Sequence, residues 1–130
     1  MKGFFVMLAV ASLAACGGSS TSPGNNNNGV NTPPPAGGVS VNNDVFSPAT
    51  KTVAAGANVQ WAWNSCTGGD PYGGGQTCVE HSVTFDDGTA SSPLQSQGTF
   101  NKTFATAGTY TYHCQVHGSM GMTGTITVTP

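Results

Sequence analysis

At 130 residues the chain is long enough for one modest domain, and its charge is sparse: three lysines, no arginine and five acidic residues give a net charge of −2, with 6% of residues charged. Such a chain has neither the basic surface that holds nucleic acid nor the polybasic cluster that docks on an anionic membrane. Nineteen glycines and the lack of any long apolar pattern at helical period leave an all-β reading.

Residues 1–15 read as an export signal. Lys2 is followed by an uncharged apolar run over 3–13, too short to span a bilayer comfortably. The run ends in Leu13-Ala14-Ala15-Cys16, which resembles the lipobox of bacterial lipoproteins. The resemblance implies cleavage before Cys16 and acylation of that cysteine, which makes the membrane a partner through a lipid anchor at Cys16. Each buried methylene of the anchor contributes roughly 0.8 kcal/mol. Ordinary cleavage after Ala15 would instead leave a soluble protein with a spare thiol. The expected location is extracytoplasmic, on a bacterial membrane and facing the periplasm or the cell surface.

Residues 16–38 carry the candidate lipidated Cys16 and then a run of Gly, Ser, Asn and Pro with almost no apolar side chains. Such a run buries too little surface to offset its ordering entropy, so it reads as a disordered tether. The folded domain is expected over 39–130.

Within that domain, strands are predicted at 39–42, 52–53, 59–63, 82–85, 99–103, 109–114 and 124–129, separated by turn dipeptides such as Ala55-Gly56, Asp87-Gly88 and Ala107-Gly108. Val59, Trp61 and Trp63 alternate with Gln60 and Ala62, and Tyr110, Tyr112 and Cys114 alternate with Thr109, Thr111 and His113. A period of two sends one set to the core and the other outward. Short strands at this spacing predict a single-domain Greek-key β-sandwich.

The chemically informative stretch runs from residue 110 to residue 128. Cys114, His117 and Met122 place a thiolate, an imidazole and a thioether within nine residues, and His81 opens the alternating run His-Ser-Val-Thr-Phe upstream. Soft sulfur donors combined with imidazole suit copper, and a type 1 site needs two His, one Cys and a weak axial Met.

These residues resemble the cupredoxin family, close to plastocyanin in the ligand loop. The pattern Cys-x2-His-x4-Met is met by Cys114, His117 and Met122, followed by Thr123-Gly124-Thr125-Ile126-Thr127-Val128. Glu80-His81-Ser82-Val83-Thr84-Phe85 fills the place of the upstream His segment, and Phe46-Ser47-Pro48 and the run 56–61 match early strands. The resemblance implies one type 1 copper ion held by His81, Cys114, His117 and Met122. It also implies a non-enzymatic electron carrier that docks briefly with a redox donor and acceptor near His117. A copper storage or delivery protein using the same ligands is the alternative, and a monomer is the default.

Three features depart from the family pattern. Ser82 stands where the family has Asn, a residue that ties the two ligand loops together and sets hydrogen bonds around the Cys sulfur. Met120 is an alternative axial ligand, although only Met122 precedes the Met-x-Gly-x pattern. Residues 65–78 form an insertion bounded by Cys66 and Cys78. With Cys114 given to copper and Cys16 to lipid by their resemblances, an oxidising compartment would pair Cys66 with Cys78, closing a loop worth about 3 kcal/mol. The rival reading takes Cys78-Val-Glu-His81 as a second metal motif. His113 precedes Cys114 on its strand and should face away from the metal. The surface around His117, with Pro93, Leu94, Gly118, Met120 and Gly121, reads as small and uncharged.

Overall fold

The computed structural model describes residues 36–69 and 72–130. The export signal, Cys16 and all but the last residues of the tether lie outside the described residues. Among the described residues ten strands follow in chain order: β1 (Val39–Asn42), β2 (Val45–Ser47), β3 (Thr50–Ala54), β4 (Ala57–Trp63), β5 (Cys66–Gly68), β6 (Gln76–Cys78), β7 (Thr84–Phe85), β8 (Thr99–Phe104), β9 (Gly108–His113) and β10 (Thr123–Thr129). One 3-10 turn, Gly118–Met120, lies between β9 and β10.

Two four-stranded sheets, ordered β2-β1-β4-β8 and β3-β10-β9-β7, form the sandwich, and β5-β6 is a separate hairpin. The chain changes sheet repeatedly, so that β1 pairs in parallel with β4 and β3 in parallel with β10. Neighbours distant in sequence are what Greek-key connections produce.

The core lies between the sheets. Trp61 of β4, fully buried, meets Phe85 of β7 at 5.8 Å and Tyr112 of β9 at 5.5 Å between ring centroids, both edge-to-face. This geometry suits the quadrupoles of aromatic rings. Burial pushes the Tyr112 phenol up to about 12, so it stays neutral. Its ring also fixes the start of β10, since a Cβ at Gly124 would overlap the phenol. Val39, Val41, Val59, Phe104, Ile126 and Val128 complete the apolar filling.

Several local expectations are corrected. Ala62 is fully buried although its neighbours on the inward face are Trp61 and Trp63. It lies in a strand flanked on both sides, in register with Ser40 and Thr99, and these neighbours shade a methyl group. Tyr110 is only half-buried, resting on Phe104 at 5.0 Å while its hydroxyl donates to the Thr106 carbonyl. The strand predicted at 82–85 is regular only at Thr84–Phe85. The backbone N–H groups of Ser82 and Val83 are directed to Cys114 Sγ and Ser92 Oγ, which takes them out of any ladder. The insertion carries its own hairpin, with Cys66 in register opposite Cys78.

Candidate metal centre

The candidate ligands come from two places. His81 lies between β6 and β7, and Cys114, His117 and Met122 lie on the connection from β9 to β10. His81 is held at both backbone groups by Gln95: its N–H donates to the Gln95 carbonyl at 2.9 Å, and Gln95 N–H donates back at 3.1 Å. The ligand loop is tied to itself. Cys114 N–H donates to the Met122 carbonyl at 3.0 Å, Gly118 N–H to the Cys114 carbonyl at 2.7 Å, and Met122 N–H to the His117 carbonyl at 3.2 Å. The turn closes at Gly121, whose φ of 98° is left-handed and suits glycine.

Ser82 joins the two segments. Its N–H points at Cys114 Sγ from 3.5 Å, and its hydroxyl accepts from Gln115 N–H at 2.9 Å. A short hydroxyl and its backbone N–H thus tie the two ligand segments together.

The result is a convergence of three donor atoms. Nδ1 of His81 and Nδ1 of His117 are 3.0 Å apart, and Cys114 Sγ is 3.8 Å from the first and 3.6 Å from the second. The point equidistant from all three lies about 2 Å from each, the length of a transition-metal bond to imidazole. Cys114 and His81 are fully buried. Burial pushes His81 below the usual histidine range, with the neighbouring His117 adding to the effect and Asp44 opposing it. A neutral imidazole with a free lone pair is the form that binds metal. Thiolate, two imidazoles and a nearby thioether fit copper by donor chemistry as well as by geometry.

The two methionines part company. Met122 is buried at 2% exposure in the same core cluster as Cys114, whereas Met120 is 70% exposed. His117 is the ring nearest solvent, with 14% of its side chain exposed. Beside it opens a groove of about 540 Å³ lined in part by Leu94, Val116 and Glu80.

Cys66 and Cys78 are disulfide-bonded, so Cys78 is not a ligand and the second-motif reading fails. His113 turns away from the cluster, with Nδ1 on the Asp86 carboxylate at 2.6 Å. Its ring also underlies Gly118, where an added Cβ would come within 3.1 Å of it.

The expectation of an uncharged surface around His117 is corrected. Asp44 Oδ1 stands 3.6 Å from His117 Nε2, and Glu80 lines the adjoining groove. Asp44 was missed because it lies more than seventy residues upstream, in the β1–β2 turn, and only strand pairing brings it over the ligand loop.

Residues 36–129 match the family model of copper binding proteins, plastocyanin/azurin family. The chain is 32% identical over 96 residues to plastocyanin of Scenedesmus fuscus, covering 65% of this chain and 86% of that one. Oxidized plastocyanin from Dryopteris crassirhizoma superposes with a TM-score of 0.57 at 27% identity, over 71% of this chain and 99% of that one. A purple cupredoxin from Nitrosopumilus maritimus, 20% identical with a TM-score of 0.55 over 71% of this chain and 98% of its own, shares the fold. The sandwich, the donor cluster and these matches together place the chain in the plastocyanin/azurin family of copper-binding proteins, with one copper ion as its cofactor.

Proposed function

We propose that the protein is a type 1 copper electron carrier whose metal would be held by His81, Cys114 and His117, with Met122 supplying a weaker thioether donor. The carrying observation is the triangle of His81 Nδ1, His117 Nδ1 and Cys114 Sγ, with edges of 3.0 to 3.8 Å, set in a closed core. Bound copper supplies a one-electron Cu(II)/Cu(I) couple. The chain supplies rigidity: Gln95 holds His81, Ser82 clamps the two ligand segments, and the loop's own hydrogen bonds hold Cys114 and Met122. Ligands held this way move little between oxidation states, which favours fast electron transfer over metal release and hence the carrier over a storage or delivery role.

Electrons enter and leave through the edge of His117. Redox donors and acceptors dock there on the apolar side chains of Leu94, Val116 and Met120, which are 40%, 51% and 70% exposed. Transient redox encounters of this kind typically bury under about 1,200 Å². The lipobox-like Leu13-Ala14-Ala15-Cys16 makes the carrier a lipoprotein, tethered by residues 16–38 outside the cytoplasm. The disulfide between Cys66 and Cys78 agrees with an oxidising compartment.

The test is a Cu(II) titration of the purified protein, followed by visible absorption and EPR. An intense thiolate-to-copper band with narrow copper hyperfine splitting, saturating at one equivalent, is expected. A pale product, or a preference for Zn(II), would sink the carrier reading. Mass spectrometry of the membrane-extracted protein tests the anchor: diacylglycerol on Cys16 is expected, and a free N-terminus at Cys16 in the soluble fraction would exclude it.

A further inference from the structure

Asp44 meets the solvent side of the candidate centre. Its Oδ1 stands 3.6 Å from His117 Nε2, the ring nitrogen opposite the one that faces Cys114 and His81. This is longer than a hydrogen bond and well within direct electrostatic contact. Asp44 reaches the ring from the β1–β2 turn with φ 60°, a left-handed conformation that Asp and Asn tolerate better than other residues with a Cβ. It shares a small cavity wall with Gly121 and Met122, so it lies against the ligand loop itself.

We propose that Asp44 is a positioning residue of the copper centre: its carboxylate holds His117 in the tautomer that keeps the proton on Nε2 and leaves the Nδ1 lone pair for the metal, and its charge favours Cu(II) over Cu(I). An ionised carboxylate only accepts hydrogen bonds. Facing Nε2, it repels a lone pair there and attracts an N–H, as carboxylates behind metal-bound histidines do. A fixed negative charge beside the centre stabilises the more positive of two metal states. Asp44 is 63% exposed, so salt weakens this effect without changing its sign.

The inference rests on the ligand set proposed above. Its test compares wild type, Asp44→Asn and Glu80→Gln. Asn keeps the size and the left-handed backbone tolerance of Asp44 while removing the charge. Glu80 carries the same charge into the groove on which His117 borders, with no ion pair to the ring among the described residues. Long-range proton–nitrogen correlation spectra of the metal-free protein, with His117 neutral, read the tautomer directly. Spectroelectrochemistry of the copper-loaded protein reads the midpoint potential. In Asp44→Asn the Nε2–H fraction of His117 should fall and the midpoint should rise, with the gap to wild type narrowing as salt is added. Glu80→Gln should change both less. An unchanged value in either readout, or an equal shift in Glu80→Gln, overturns the proposal. Wild-type protein that takes up copper without a blue band overturns the ligand assignment instead, and the spectra of the metal-free protein still decide the contact between Asp44 and His117.

Discussion

The indole Nε1–H of Trp63 donates to the main-chain carbonyl of His81 at 2.9 Å, so a core tryptophan of β4 holds a candidate copper ligand by its backbone. The same carbonyl accepts from Gln95 N–H. Trp63→Phe keeps most of the apolar volume and removes the donor. A buried hydrogen bond lost in this way costs about 1–3 kcal/mol. Urea denaturation of the metal-free variant should show that loss, and copper affinity should fall because His81 is less firmly placed. Full stability together with wild-type affinity would mean that Gln95 alone suffices.

Met122 and Met120 should respond oppositely to truncation. Met122→Ala removes a buried side chain from the cluster around Cys114, a change that costs about 2–5 kcal/mol. It should also alter the EPR spectrum and raise the potential, since a weak thioether donor is lost. Met120→Ala, at an exposed position, should stay within about 0.5 kcal/mol of wild type and leave the spectrum unchanged. The reverse pattern would move the axial role to Met120.

His117→Gly should open the centre to solvent. The ring is the ligand nearest the surface, and its loss leaves a gap beside the groove at Val116 and Leu94. The blue band should vanish and return on addition of free imidazole. An unchanged visible spectrum in this variant would refute the assignment of His117.

Metal-free protein should lose stability as the pH falls through the histidine range. Burial, with His117 beside it, lowers His81 below its ordinary value of 6.5. The unfolded chain therefore takes up a proton at His81 before the folded chain does. The stability contributed by the neutral ring is present above about pH 6.5 and is lost progressively as pH falls towards the lowered folded value. Urea midpoints at pH 7.5 and pH 5.5 should differ in that direction, and copper, which keeps the ring neutral in the folded state while the unfolded chain still takes up its proton, should widen the difference. A midpoint that rises on acidification would contradict the burial argument.

Much of this protein was legible before folding. Alternation at Val59-Trp61-Trp63 and at Tyr112-Cys114 identified inward faces because a strand has a period of two. The spacing of Cys114, His117 and Met122 identified a donor loop because those three side chains lie close in sequence and must converge when the loop is tight. Cys66 and Cys78, at the two ends of the insertion, were legible as a pair only once resemblance had given Cys16 to lipid and Cys114 to copper. His81 was legible only through resemblance, since nothing local marks one histidine as a ligand.

Contacts between distant segments were decided by the tertiary structure. Ser82 looked like the first residue of a strand, yet its N–H and hydroxyl serve Cys114 and Gln115, some thirty residues away. Trp63 looked like core and also supports His81. Asp44 gave no signal in the sequence, and strand pairing lays it against His117. The difference has a physical origin. Period, turn chemistry and ligand spacing are properties of neighbouring residues along the chain and are written in their order. The partner of a hydrogen-bonding or charged group is set by which strands pair and in which register, and that is decided by burying all of the apolar faces at once.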